Sequence, residues 1–562
     1  MAQRAPDDKN QLVIFPELLQ EKVSGGPHAA RFFLYLAETL KLKLYERSSQ
    51  GAPPFARPTL VAVLLYAMHH GKFSAQGILK WAEDSIGAHW LLNGMNLPSY
   101  KTIERLIQGL LAEVDTLFEQ ILLICEQLLL IGKQRGYIDG TKIKANASKH
   151  KAMSYKYLTK RLERRQQECE ALFESLLGPM EALESMPDAE MKQLIAVEAD
   201  RVHRLLQRHH QETLKNREKQ TFNPDAAPTE EAAQPDREAL NAQSALLKSA
   251  APQQYEMILE TLNNIAFAQQ RIQKMTEAKT TLETKWRETE GNKAIPDDKQ
   301  INFTDAESSI MVTKHQGVQQ CYNHFAIVDE KAHVILGTHT SNNASDQLGL
   351  IPTIDHAEAM YGSLKGLQLG ADAGFFSVNN IRYAQGREID FYASYPEAKH
   401  PYAKDRFVYD AAEDVYTCPA GATLTQQEVK RNGQIGEYRN SAACGACPLS
   451  GQCTKAKDGV RKIERDLEAD AVREAAREKA NSEQGRDILR QRKSVPEPVW
   501  GNMKTLDGLT QIQLRGLSSA TLEFRLHAVM HNIRKIMKVY RSSASYQETV
   551  HGTQEQTYTN TA

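Results

Sequence analysis

Hydrophobic residues recur at helical spacing through the first quarter of the chain and predict an all-helical domain there. The predicted helices are 29–45, 57–68, 74–86, 89–95 and one long helix from Tyr100 towards Ile131. Short helix, turn and helix is also the outline of a helix-turn-helix motif, in which Ser99 to Arg105 would begin the recognition helix. A compact bundle gives the same outline. We therefore predict a helical N-terminal domain over residues 1–130, with DNA binding as an open alternative.

After residue 130 the pattern changes to alternation and then returns to helical spacing. Residues 137–146 alternate apolar and polar positions, which predicts a half-buried strand that carries Asp139. Apolar stripes at helical spacing follow at 158–183 and 258–286, and residues 223–236, rich in Pro, Ala and acids, separate them. We interpret 131–150 as the first strand of a catalytic core and 151–298 as a helical, coiled-coil-like hairpin inserted into it.

Strand signals dominate from residue 301 to about 394. The predicted order is strands within 301–340, a helix at 346–360, a short strand ending in Asp372, a helix at 377–385 and a strand at 387–394. Counted with the first strand, this is the order of an RNase H-like α/β fold, a mixed sheet flanked by helices. Acids on its first and fourth strands lie side by side. We assign 299–405 and the helices of 466–545 to this core.

Four of the seven cysteines fall in a short segment, 406–465, which we interpret as a small Cys-rich insertion. They are Cys418, Cys444, Cys447 and Cys453. Four thiolates suit tetrahedral zinc, although a zinc ribbon would have two CxxC pairs and this segment has one. A redox-active or merely buried set of thiols is the alternative.

Composition argues against a membrane-spanning or secreted protein. The net charge is close to zero, so only local clusters of charge can indicate a nucleic-acid partner. The chain has 562 residues, 41% hydrophobic, and a formal net charge of −1, so we expect several domains and no global basic field. Residues 133–165 hold eleven Lys or Arg against two acids, a phosphate-friendly segment or else a solvated helix face. An apolar run of membrane-spanning length and a signal peptide are both lacking, which predicts a cytoplasmic protein. The polar tail, 546–562, is predicted to be disordered.

Three motifs, taken together and in order, resemble the signatures of bacterial insertion-sequence transposases of the DDE type. They read IDGTK at 138–142, LGADAGFF at 369–376 and EPVWGNMK at 497–504. The resemblance extends over about residues 30–540. One departure is that the family often has Tyr seven residues and Arg four residues before the Glu, where this chain has Arg490 and Lys493.

The resemblance implies a catalytic triad of Asp139, Asp372 and Glu497 that holds two Mg²⁺ (or Mn²⁺) ions, with Asp139 bridging them. The implied DNA-binding residues are Arg492, Lys493, Lys504, Lys142 and Lys144. The implied activity is metal-dependent DNA strand cleavage and transfer at terminal inverted repeats. The partners would be transposon ends, target DNA and a second copy of the chain, on the nucleoid when DNA is bound.

Two other functions fit the same motifs. One is a non-catalytic DNA-binding or scaffold protein derived from a transposase, which the missing tyrosine leaves open. The other is an RNase H-like nuclease that cuts DNA without joining it.

Overall fold

A computed structural model describes residues 28–43, 55–93, 96–184, 252–313, 316–395, 398–431 and 434–542. The chain divides into two compact units. The first comprises the residues up to Ala147 together with those from Glu307 onward, and the second is Ser148–Ala306. The predicted linker at 223–236 and the predicted disordered tail at 546–562 lie outside the described residues.

The N-terminal part of the first unit is a helical bundle. Its helices are α1 (Ala29–Thr39), α2 (Arg57–His69), α3 (Ala75–Asp84), α4 (Ile86–Leu91), α5 (Tyr100–Ala112) and α6 (Val114–Gln127). Ser99 caps α5 by accepting a hydrogen bond from the backbone N–H of Thr102 at 3.2 Å. The single long helix predicted from Tyr100 is wrong, because the helix breaks at Glu113, whose carboxylate accepts a hydrogen bond from the backbone of Lys43.

A mixed sheet forms the centre of the first unit. Its strands are β1 (Arg135–Lys144), β4 (Ser309–Thr313), β5 (Gly317–Asp329), β6 (Ile335–Ser341), β7 (Gln368–Ala371) and β8 (Asp390–Ala393). The order is β4-β5-β1-β7-β8, and β6 also pairs with β5. β5 is antiparallel to β1, whereas β7 is parallel to β1 and β8 is parallel to β7. A central β1 that pairs with β5 on one side and β7 on the other brings residues far apart in sequence to one sheet end.

Helices after β6 cover the sheet. They are α9 (Leu350–Tyr361), α10 (Val378–Gly386), α13 (Ala469–Asn481), α14 (Glu483–Gln491), α15 (Pro496–Leu506) and α16 (Leu517–Ser542). α15 packs on β1, and α14 packs on β7 and β8. In α16 the side chain of Asn532 donates to the carbonyl of Ile335 and accepts from its N–H, both at 2.8 Å, so this helix is fixed to β6.

The Cys-rich segment forms a small antiparallel sheet of its own. It contains β9 (Val408–Asp410), β10 (Val415–Thr417), β11 (Thr423–Lys430), β12 (Ile435–Arg439) and β13 (Ile463–Asp466), with two short helices, α11 (Ser441–Gly445) and α12 (Ser450–Cys453), between the last two. Its buried core comprises Phe407, Tyr416, Leu424, Tyr438 and Ile463. So small a core supplies little burial energy of its own.

The second unit is a helical hairpin with a short strand pair at its base. Its elements are β2 (Ala152–Ser154), α7 (Tyr155–Glu184), α8 (Pro252–Glu290) and β3 (Gln300–Asn302). Apolar residues of α7 such as Leu158 and Cys169 pack against Ile265 and Ile272 of α8. β2 and β3 are antiparallel, with Ala152 opposite Asn302. Among the helices described in either unit, none is both long and apolar enough to span a membrane.

Candidate active site

The parallel pairing of β1 with β7 brings the first two predicted acids to the same end of the sheet. The register places Gly136 opposite Leu369 and Tyr137 opposite Gly370. Two residues further along, Asp139 on β1 faces the position of Asp372, directly after β7. An electrostatic interaction between the two carboxylates accompanies this arrangement. Two strands that are far apart in sequence therefore bring two acids to the same end of the sheet.

Asp139 lies in a pocket made by the segment before α15 and by α15 itself. Its side chain is 15% exposed, and the guanidinium of Arg492 lies 3.5 Å from one carboxylate oxygen. The indole N–H of Trp500 donates to the other oxygen at 3.0 Å. Trp500 is itself buried and stacks against Phe524 of α16, so its indole is held in place. Both carboxylate oxygens are therefore engaged by other side chains, one of which, Trp500, is held in place by packing.

Asp372 has two neighbours that fix its position beside Asp139. It caps the short helical turn after β7 by accepting a hydrogen bond from the N–H of Gly374 at 2.9 Å. A Cβ placed on Gly374 would lie 3.0 Å from an oxygen of Asp372 and 3.0 Å from an oxygen of Asp346. A side chain at this position would therefore require the two carboxylates to shift by a few tenths of an ångström. Asp346 is oriented in turn by Asn323, whose amide donates to it at 2.8 Å.

Burial and mutual repulsion disfavour the charged forms of both acids. Burial raises the pKa of Asp139 to about 6, an effect that Arg492 and Trp500 oppose and that Asp372 reinforces. Burial also raises the pKa of Asp372, Arg492 opposes the shift, and Asp346 reinforces it. Acids that repel one another in a buried place are those that a cation would stabilise.

The raised pKa of Asp139 predicts a pH-dependent stability. Because its folded pKa of about 6 exceeds the usual value of 3.8 for an aspartate, the metal-free folded protein loses stability as pH rises from about 4 to about 6. Asp139→Asn removes the titration, so the variant should gain on the wild type over this range by at most about 3 kcal/mol. The check is the melting temperature of both proteins in excess EDTA at pH 4.5 and 7.5. A difference that is equal at the two pH values would contradict the assignment.

Glu497 lies in the first turn of α15 and is exposed. Residues three and seven positions later share its side of the helix. These are Trp500, bonded to Asp139, and Lys504, whose ammonium donates to Thr141 at 3.0 Å. The helix therefore runs along β1 with Glu497 one turn before the Asp139 contact. An acid in a first helical turn also stabilises the helix dipole, and that purely structural role is open to Glu497 as well.

The predicted DNA-binding cations occupy different places. Arg492 faces the two aspartates and Lys493 is exposed beside it. Lys142 and Lys144 lie three and five residues after Asp139 on β1, whose pairing with β5 is continuous. Because side chains on a strand point to alternate faces, both lysines project from the face of the sheet opposite to that of Asp139. They lie near the buried thiol of Cys321, where their charges oppose the rise in its pKa that burial causes. Their role in DNA binding stays a prediction, and any such contact would lie on the face of the sheet opposite to that of Asp139.

The positions of the side chains bear on whether a metal ion could bind here. In the described part of the chain, no group of three or more His, Cys, Asp or Glu side chains lies close enough together to hold a metal ion. Asp139 and Asp372 fit a divalent cation by chemistry, since they are buried oxygen donors that repel each other. A third carboxylate would have to move towards them, and Arg492 would have to give way.

The four predicted zinc ligands share one cavity in the Cys-rich sheet. Cys418, Cys444, Cys447 and Cys453 are free, partly exposed thiols that line a space of about 230 Å³. The sulfur of Cys418 accepts a hydrogen bond from the N–H of Ala422 at 3.3 Å. Burial, followed by the neighbouring thiols, raises the pKa of Cys453, which Arg461 opposes. The four thiols line the same cavity, but among the described residues they are not close enough together to hold a metal ion as they stand.

Two residues of this site, Trp500 and Asp346, could not be assigned their roles from the sequence. Trp500 gives no sign in sequence that its indole will reach a strand 361 positions earlier. Asp346 follows β6 at a position where an acid commonly caps a helix, but Ser345 is the N-cap of that turn and the Asp346 carboxylate binds Asn323. Its position in the loop that follows a strand was the available signal in the sequence.

Comparison with known proteins adds one finding. Residues 417–537 match the family described as a transposase DDE domain. The match supports a DDE transposase. It covers the four cysteines, Arg492, Glu497 and Lys504, and it begins after Asp139 and Asp372. The searches of curated proteins and of solved structures gave no match.

A DDE transposase domain implies an RNase H-like fold, and the mixed sheet flanked by helices agrees with that expectation. The family suggests an enzyme that acts on DNA with a divalent metal. Because the matched segment is roughly a fifth of the chain and excludes the two aspartates, their assignment depends on the geometry of β1 and β7.

Proposed function

We propose that this protein is an insertion-sequence transposase that binds the terminal inverted repeats of its element and catalyses metal-dependent DNA strand cleavage and transfer. The observation that carries the proposal is the parallel pairing of β1 and β7, which places Asp139 and Asp372 side by side in a buried pocket. The DDE family match over 417–537 supports the same activity independently, because it covers Glu497 and excludes both aspartates.

Each side chain of the pocket has a role in this proposal. Asp139, Asp372 and Glu497 would hold two Mg²⁺ or Mn²⁺ ions, which when bound activate the attacking oxygen and stabilise the leaving one. Trp500 fixes the carboxylate of Asp139 by its 3.0 Å hydrogen bond. Arg492, now 3.5 Å from Asp139, would turn to a DNA phosphate once a cation neutralises the acids. Lys504 and Lys493 would contact the backbone near the cut.

The missing tyrosine leaves the cationic part of the family motif intact. Lys493 stands where the family often has Arg, and Arg492 beside it is the guanidinium that reaches the acids. A planar guanidinium can bind a phosphate through two hydrogen bonds, so Arg492 can serve the function that the family assigns to its arginine.

The proposal is tested with the purified chain and a duplex that carries the inverted repeats flanking its reading frame. Strand nicking and joining in Mg²⁺, lost in EDTA, is the expected result. Cutting without joining would indicate a nuclease, and binding without cutting would indicate a DNA-binding protein derived from a transposase. The elution volume with and without the duplex tests the proposed dimer, since two DNA ends must be held together for joining.

Zinc at the four cysteines stays a prediction. A structural ion would compensate for the five-residue core of the Cys-rich sheet. Protein purified without chelator should contain about one zinc per chain by atomic emission, and the double substitution Cys444→Ser, Cys447→Ser should lose it. Cys321→Ser, at a buried thiol of β5, is the matched control. Zinc at background level in the wild type would favour a set of reduced, unligated thiols.

A further inference from the structure

One exposed face of helix α7, in the second unit, carries cations around an aromatic ring. Tyr157, Lys160, Arg161 and Arg164 project from the same side, since residues three, four and seven apart do so on a helix. We call these four residues the basic face. Tyr157 is 53% exposed and the side chain of Arg164 is 79% exposed.

The hairpin does not need the basic face for its own packing. The buried stripe of α7 lies on the other side of the helix, where Leu158, Leu162 and Phe173 contact α8. Substitutions on this face should therefore leave the hairpin folded.

Charge on this segment is unbalanced. Residues 149–168 contain seven Lys or Arg and two Glu, in a chain whose formal net charge is −1. Glu168 accepts hydrogen bonds from both Arg164 and Arg165, at 2.9 and 2.7 Å. Of the carboxylates that the structure describes, none forms an ion pair with Lys160 or Arg161. Cations gathered in this way repel one another until an anion binds.

The aromatic ring holds one of these cations in a fixed position. The guanidinium of Arg161 lies 5.7 Å from the ring centre of Tyr157 and donates to its hydroxyl at 3.2 Å. A guanidinium held in this way has less side-chain entropy to lose on binding. The arrangement favours an anion that accepts several hydrogen bonds, such as a phosphate.

We propose that the basic face binds the phosphate backbone of double-stranded DNA, as an auxiliary grip separate from the pocket of Asp139 and Asp372. This rests on the proposed function, since the partner is taken to be the DNA that the enzyme cuts. Lys160 and Arg164 are about 6 Å apart along the helix axis, a span that covers neighbouring phosphates of one strand. Contacts to phosphates carry no sequence information, so a grip made of such contacts is independent of sequence.

The test is binding of a 40-base-pair duplex of arbitrary sequence by fluorescence anisotropy at a series of salt concentrations. The variant is Lys160→Gln, Arg161→Gln, Arg164→Gln in the full chain. Its affinity at 100 mM salt should fall about tenfold or more, and the slope of log K against log salt should become shallower by about 2 to 3. Glu168→Gln, which releases two arginines, should bind more tightly than the wild type.

The matched control removes the same charge elsewhere in the second unit. Arg271→Gln, Lys274→Gln, Arg287→Gln changes three exposed cations of α8 and should keep the wild-type affinity and slope. An equal loss in both triple variants, or none in either, would overturn the proposal. A wild type that binds through the basic face but never cuts would instead count against the transposase function. Circular dichroism of each variant checks that the hairpin is folded.

Discussion

Asp139→Asn is expected to lose strand cleavage by at least about 10³-fold and to bind duplex DNA as the wild type does. Asn has the same shape and can still accept the hydrogen bond from Trp500, so the pocket should persist. What it removes is the negative charge that a divalent cation needs from this position. Asp372→Asn should behave alike. The measurement is single-turnover nicking of the element's ends in Mg²⁺, with binding followed by gel shift.

A sheet carboxylate outside the pocket provides the control. Asp390 begins β8, and its register partner Gln368 begins β7, so it lies at the opposite end of the sheet from Asp372. Its ion pair with Lys479 is partly exposed, and Asp390→Asn should cost under about 1 kcal/mol and no activity. Cleavage that survives in Asp139→Asn at the rate of this control would rule out the proposed active site.

Glu497→Gln should lose cleavage to a similar degree, about 10³-fold, whereas Asp346→Asn should lose much less. Glu497 lies three residues before Trp500, about 4.5 Å along the axis of α15, and on the side that faces β1. Asp346 already has one oxygen engaged by Asn323. The same nicking assay, run on both variants beside wild type, measures the two effects.

The opposite ranking is equally informative. If Glu497→Gln were fully active and Asp346→Asn inactive, the third carboxylate of the site would come from the loop after β6. Glu497 would then have the structural role of an acid in the first turn of a helix. Loss in both variants would mean that all four acids take part in cation binding.

The strands of the core could be predicted from sequence because alternation and strand-ending acids are local signals. The positions of Asp139 and Asp372 depend on such signals and on a known strand order. The contact of Trp500 with Asp139 and the break at Glu113 depend on partners distant in sequence, which periodicity does not encode. The face of Lys142 and Lys144 could have been predicted, since they are odd-numbered intervals away from Asp139 along one strand.

The placement of β1 has a consequence for how the chain assembles during synthesis. Lys144 of β1 pairs with Cys321 of β5, so a ribosome releases this central strand long before its first neighbour. Between them, Asn302 donates to the carbonyl of Ser148 at 2.7 Å and β2 pairs with β3, which ties the two ends of the hairpin unit together. If that unit folds first, it makes the effective loop about eight times shorter and lowers the entropic cost of joining β1 to β5 by about 2 kcal/mol. The inserted hairpin would then influence the order of folding, because its early formation holds β1 close to the segment that becomes β5.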